Sequence, residues 1–139
     1  MMALENSNFL KNIESMDKKK ILIVEDDVFI RDIYQIKFAQ EGFDVIMAED
    51  GIVALKKLEQ FVPAIILLDI IMPYMDGMEV LRKIKANAKL KDIPIIMLTN
   101  ISEKENIDEG MEVGADDFLI KSHFTPSEVV QKVKTLLKI

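Results

Sequence analysis

The chain has 139 residues, half of them apolar and 30% charged, with a formal net charge of −6 and no cysteine. That length suits one ordinary domain, and the composition fits neither a disordered acidic chain nor a membrane protein, because no apolar run approaches the roughly 20 residues a spanning helix needs. The negative charge argues against direct nucleic-acid binding, and the missing cysteines exclude disulfides, thiolate catalysis and Cys-ligated zinc. The N-terminus lacks the basic and apolar regions of a signal peptide, so a cytoplasmic location without membrane insertion is expected.

Residues 1–18 read as an extension ahead of a domain over 19–139. Phe9, Ile13 and Met16 have helical spacing; the expected form is a frayed tail, with a short helix docked on the chain itself or on a partner as the alternative. Ile21-Leu22-Ile23-Val24 is a continuous apolar run suited to a parallel strand buried on both faces. Glu25-Asp26-Asp27 follows, with Asp27 a natural cap for a helix whose Ile30, Ile33, Tyr34 and Phe38 fall on one stripe and which Gly42 closes. The run over 44–48 alternates more and predicts an edge strand. Runs over 64–68, 95–98 and 118–120 predict three more buried strands, followed by Asp69, Thr99 and Lys121. Ser102-Glu103-Lys104-Glu105 and Thr125-Pro126-Ser127-Glu128 read as capping boxes, and Gly114 as a helix end. A last helix carries Val129, Val133, Leu136 and Leu137 on one stripe. Five strand–helix alternations predict an α/β, doubly wound parallel sheet with helices on both faces.

Ligands of such sheets sit beyond the carboxyl ends of the strands, and there this sequence delivers acidic groups, a hydroxyl and an ammonium to one edge. Carboxylates brought within a few Å repel one another unless a cation neutralises them, and a hard divalent ion such as Mg2+ takes oxygen ligands and partners phosphate readily. A cation beside a carboxylate and an ammonium is also what phosphoryl transfer to that carboxylate needs, since the chemistry is mostly positioning and charge neutralisation. Each residue alone has a plainer reading as cap, turn residue or solvated charge. Four such accidents at the same end of four strands would be needed together.

Glu25-Asp26 after a strand, Asp69-Ile70-Ile71-Met72-Pro73-Tyr74-Met75-Asp76-Gly77, Leu98-Thr99 and Ile120-Lys121 resemble the signature of bacterial response-regulator receiver domains. The resemblance covers nearly the whole chain and implies a sheet in the flavodoxin-like order 2-1-3-4-5. It implies that Asp26 and Asp69 bind Mg2+ directly, Glu25 largely through water, and that the Ile71 main-chain carbonyl is a further ligand. Asp69 would take the phosphoryl group from a phosphohistidine on a sensor histidine kinase or phosphotransfer protein, with Thr99 and Lys121 completing the reacting site. Thr99 and Phe118 would then move together and reshape the face of helix four, strand five and helix five, read by a downstream protein or used in a phosphorylation-dependent dimer.

The chain departs from the family pattern at Ser122, where Pro is usual, at Asn100, where a small residue is usual, and at Phe118, most often Tyr. These bear on switching more than on phosphorylation. A cis peptide costs about 2.5–4 kcal/mol before Ser against about 0.5–1 kcal/mol before Pro, so a trans Lys121-Ser122 bond is expected. Ile71 and Ile101 occupy positions resembling the family's water-controlling pair, which leads to an expectation of slow self-dephosphorylation. His123 is assigned no role.

Two readings from other classes compete. A haloacid-dehalogenase-like phosphotransferase would carry its Asp-x-Asp pair after the first strand, where this chain has Glu25-Asp26-Asp27. A flavodoxin-like electron carrier needs a phosphate loop there, which these carboxylates would repel. A signalling module rather than an enzyme is therefore expected, either standing alone or as the receiver of a longer regulator with an output domain.

Overall fold

The computed structural model describes residues 18–100 and 104–139. The Ser102-Glu103 half of the first expected capping box, like the extension over 1–17, lies outside the described residues. The element order is β1 (Lys20–Val24), α1 (Val28–Gln40), β2 (Asp44–Ala48), α2 (Gly51–Leu58), β3 (Ile65–Asp69), α3 (Gly77–Lys85), β4 (Ile95–Thr99), α4 (Lys104–Val113), β5 (Asp117–Ile120), a 3-10 turn (Lys121–His123) and α5 (Pro126–Leu137).

All strand pairings are parallel, in the order β2-β1-β3-β4-β5. The expected doubly wound sheet is therefore present, in the implied order. The period-2 alternation of buried strands divides their side chains between two cores. Leu22, Val24, Ile66, Leu68 and Met97 pack with Ala54, Leu58, Met78, Leu81 and Ile84 of α2 and α3. Ile21, Ile23, Ile65, Leu67 and Leu98 pack on the other face with Tyr34 and Phe38 of α1 and Val129, Val130 and Val133 of α5. Each fully buried Ile, Leu or Phe contributes about 1.5–3 kcal/mol relative to exposure, which is why β1, β3 and β4 form the centre of the sheet.

Strand boundaries fall within about one residue of the expectations, and one shift matters: β3 runs through Asp69, which pairs with Leu98 of β4. Two expectations need correcting. The run over 118–120 is an edge strand, with Leu119 buried and Phe118 and Ile120 only partly so, because a three-residue apolar run reads alike whether or not a further strand covers its outer side. Ile33 is 50% exposed. It lies about 100° around the helix from Tyr34, outside the stripe that reaches the sheet.

Helix ends follow side-chain chemistry. Asp27 accepts from the N–H groups of Phe29 and Ile30, Asp50 from Val53, and Asp76 from Glu79. Thr125 and Glu128 form the expected reciprocal capping box with Pro126 at the first turn. Gly42 and Gly114 close helices with φ of 90° and 128°, where a side chain would be strained. Among the described residues no helix is long and apolar enough to cross a membrane, and the Lys121–Ser122 peptide is trans, as expected.

Candidate phosphoacceptor site

Every expected site residue that is described stands at the carboxyl edge of the sheet. The Glu25 N–H donates to the Ala48 carbonyl at 3.0 Å, so the pairing of β1 with β2 continues one residue beyond the strand and fixes Glu25 at its tip. Asp69 ends β3, Thr99 ends β4 and Lys121 opens the turn after β5. These strands lie side by side in the order β1-β3-β4-β5, so their tips converge.

Three polar groups here are buried: Glu25 at 2% exposure, Asp69 at 6% and Thr99 at 0%. The Lys121 ammonium joins the two acids, with Nζ 2.6 Å from Glu25 Oε2 and 3.1 Å from Asp69 Oδ2. Asp26 is exposed, yet one carboxylate oxygen each from Glu25, Asp26 and Asp69 lie within 4.8 Å of one another. They open onto a cavity of about 240 Å³ that Thr99, Asn100, Lys121, Ile30 and Ile71 also line. Asp27 stands at the same rim, but its side chain is engaged as the α1 cap, so both the capping and the acidic-cluster readings of this tripeptide hold.

One ammonium against two buried carboxylates leaves excess negative charge. Burial, reinforced by the charge of Asp69, holds the Glu25 carboxyl up at about 7 despite its bond to Lys121. Burial likewise raises Asp69, with Lys121 opposing it. The donor set suits a hard divalent cation: three convergent carboxylates, under-neutralised by protein, facing an open cavity. A stability consequence follows. Between about pH 4.5 and 7 the folded chain keeps a proton on Glu25 that the unfolded chain has lost, so stability from this group is full below that window and falls as pH rises through it. A cation held by the three carboxylates would replace the lost proton. The rise in Tm on adding Mg2+ should therefore be larger at about pH 8 than at about pH 6, and Glu25→Gln should flatten the metal-free pH profile. Equal Mg2+ shifts at both pH values in a differential scan would contradict this.

Sequence reasoning missed the part that three residues play in supporting the site. Tyr34, read only as core, lies in its field: burial first, then the charges of Glu25 and Asp69, push its hydroxyl to about 12. Its place on the α1 stripe gave no sign of this. Arg31 donates to the Glu25 carbonyl at 3.1 Å. Gly77 closes the loop after β3 so tightly that a Cβ there would sit 2.0 Å from the Asp69 carbonyl oxygen, while its own N–H donates to Ile70 at 2.7 Å. Within that loop Met75 N–H bonds the Pro73 carbonyl at 2.8 Å around Tyr74, whose φ of 70° makes a strained γ-turn on an exposed residue. On the neighbouring edge, Phe118 packs its ring over Gly110 of α4, and Thr99 pairs with Ile120 in the next strand. Ile101 lies outside the described residues.

Residues 21–134 match the family described as the response regulator receiver domain. The alkaline phosphatase synthesis transcriptional regulatory protein PhoP of Bacillus subtilis is 41% identical over 120 residues, covering 86% of this chain and 49% of that protein. The phosphate regulon transcriptional regulatory protein PhoB of Escherichia coli is 36% identical over 120 residues, 86% of this chain and 52% of its own length. This chain thus spans about half the length of these relatives. Among solved structures, the receiver domain of Francisella response regulator 1452 superposes with a TM-score of 0.79 at 32% identity, covering 87% of this chain and 98% of its own. Chemotaxis protein CheY4 of Vibrio cholerae superposes with 0.80 at 31%, covering 85% and 98%. With both the fold and the convergent strand tips in agreement, the chain belongs to the response regulator receiver domain family of two-component systems.

Proposed function

We propose that Asp69 is the phosphoacceptor of a two-component relay and that Mg2+ is required for its phosphorylation by a histidine kinase or phosphotransfer protein. The observation that carries this is the buried Asp69 carboxylate bonded to Lys121 inside a three-carboxylate cluster. An Asp69 oxygen attacks the phosphorus of a phosphohistidine; the P–O bond forms as the P–N bond breaks, and the imidazole leaves with its electron pair. Glu25, Asp26, Asp69 and the Ile71 carbonyl would hold Mg2+, which supplies charge neutralisation for the incoming phosphoryl group. Lys121 then exchanges a carboxylate partner for a phosphoryl oxygen, and the Thr99 hydroxyl binds another. Redirecting Lys121 and Thr99 displaces Phe118 and α4, giving a partner protein a different α4–β5–α5 face.

The chain acts as a signalling module in the cytoplasm rather than as a catalyst with a separate substrate. A transcriptional output, as in the named relatives, would be exerted through a downstream protein or further domain, because the chain's net charge of −6 disfavours direct contact with DNA. Incubation with acetyl phosphate tests the site. Wild type should gain a phosphoryl adduct only with Mg2+, and Asp69→Ala should gain none at that position. Labelling of Asp69→Ala at the wild-type rate would refute the assignment.

A further inference from the structure

The turn between β1 and α1 carries two of the three clustered carboxylates on adjacent residues, and it belongs to no regular element, since β1 ends at Val24 and α1 begins at Val28. Glu25 is buried and bonded to Lys121. Asp26 is exposed, and its side chain makes no hydrogen bond or ion pair among the described residues. Like charges gathered this closely push the most exposed of them toward water. Asp26 nevertheless keeps a carboxylate oxygen within 4.8 Å of the other two acids, so its place in the cluster depends on the backbone that carries it.

Arg31 grips that backbone on both sides of Asp26. Its main-chain N–H donates to the Asp27 carbonyl at 2.9 Å, and its side-chain Nη1 donates to the Glu25 carbonyl at 3.1 Å. The Glu25 N–H is fixed in turn to Ala48 at 3.0 Å. The peptide unit joining Glu25 to Asp26 thus has its oxygen held by a charged donor, a bond roughly twice as strong as one between neutral groups. Arg31 is not among the residues lining the cavity of about 240 Å³ above the acids. It lines a separate notch of about 290 Å³ with Met47, Glu49, Val53 and Lys57. Its route to the site is therefore the backbone of the turn rather than contact with whatever the cavity holds.

We infer that Arg31 is a positioning residue for the cation site: it locks the Glu25–Asp26 peptide so that both carboxylates face Asp69 before an ion arrives, an inference that rests on Glu25, Asp26 and Asp69 holding Mg2+. Charge and position act in opposite directions here. The guanidinium is a positive group close to a cation site, so by charge alone its removal would tighten Mg2+ binding. By position, its removal frees the turn, lets Asp26 swing into water and weakens binding. Loss of a hydrogen bond that orients a ligand from behind costs about 10–100-fold in metal affinity. The sign of the change separates the two effects.

Mg2+ titration of the full chain, followed through the backbone amide resonances of residues 25–27 and 69, tests this. Arg31→Met keeps the apolar stem and the helix propensity but loses the charged donor. It should raise the Mg2+ dissociation constant at least about tenfold. Arg31→Lys retains a charged donor of similar reach and should stay within about threefold of wild type. Resonances far from the turn should match wild type in both variants, so that affinity is read on folded protein; a purely structural role would lower Tm and leave that affinity unchanged. An Arg31→Met dissociation constant equal to or below that of wild type overturns the inference, as does a loss in Arg31→Lys as large as in Arg31→Met. Wild type alone gives a second check: without Mg2+, the amides of residues 25–27 should be as rigid in 15N relaxation as those of β1, and a turn that is mobile until Mg2+ is added overturns the inference without any variant. A wild type whose resonances at residues 25–27 and 69 do not respond to Mg2+ would overturn the Mg2+ site itself, and the inference with it.

Discussion

Gly77→Ala should lower the unfolding free energy by about 3 kcal/mol or more, at the upper end of what overpacking costs. The added methyl would stand 2.0 Å from the Asp69 carbonyl oxygen and 2.8 Å from both the Asp69 carbonyl carbon and Ile70 Cα. All three are backbone, and the Asp69 backbone is held by its pairing with β4. Relief therefore has to come from moving α3 or the end of β3, and either displaces the Asp69 carboxylate from Lys121. Two other glycines calibrate the effect. At Gly51 the nearest atom is a side-chain methyl of Val80 at 2.5 Å, which can turn aside at lower cost. At Gly110 the nearest is the Phe118 ring at 3.5 Å, an ordinary contact, so Gly110→Ala should be neutral or stabilise α4 by up to about 1 kcal/mol through helix propensity. Denaturant titration of the three variants should rank Gly77 as far the most costly; a loss below about 1 kcal/mol at Gly77 would mean that the loop yields easily.

That clash shows where the sequence stops being legible. The strands could be read because burial on both faces demands unbroken apolar runs, and the site because its chemistry begins where each run ends: Glu25, Asp69, Thr99 and Lys121 each follow the last apolar residue. What depends on a neighbour in space leaves no such mark. Gly77 is one of five glycines, and nothing local says that its missing side chain makes room for the Asp69 carbonyl. Tyr34 satisfies the helical pattern of a core residue whether or not charges lie nearby. Ile33 carries the apolarity of the core stripe but faces outward with Phe29 and Ile36, about 100° around the helix from Tyr34, and only the packing of α1 on the sheet tells the two stripes apart. The edge position of β5 is likewise set by there being no sixth strand in the sheet among the described residues, not by residues 118–120 themselves.

The lifetime of the phosphorylated state is the other large effect expected. Aspartyl phosphate is lost when a water attacks phosphorus in line with the departing carboxylate, and such a water has to be held by polar groups at the mouth of the site. Ile71 lines the cavity and is 56% exposed there, so its side chain takes up room at the mouth without offering a hydrogen bond. Ile101, two residues beyond Thr99, is equally apolar. Asn100 also lines the cavity and supplies an amide that can hold a water, but from beside Thr99 rather than from the two positions that flank the line of attack in the family. Slow self-dephosphorylation is the expected result, suited to a slow output or to passing the phosphoryl group onward. Ile71→Asn combined with Ile101→Glu should accelerate phosphate loss at least about tenfold, or roughly 1.4 kcal/mol in the barrier. The measurement is the decay of the phosphorylated protein after removal of the phosphodonor with Mg2+ held constant. A wild-type protein that loses its phosphate within seconds, or a polar variant no faster than wild type, would show that the two isoleucines do not control the water.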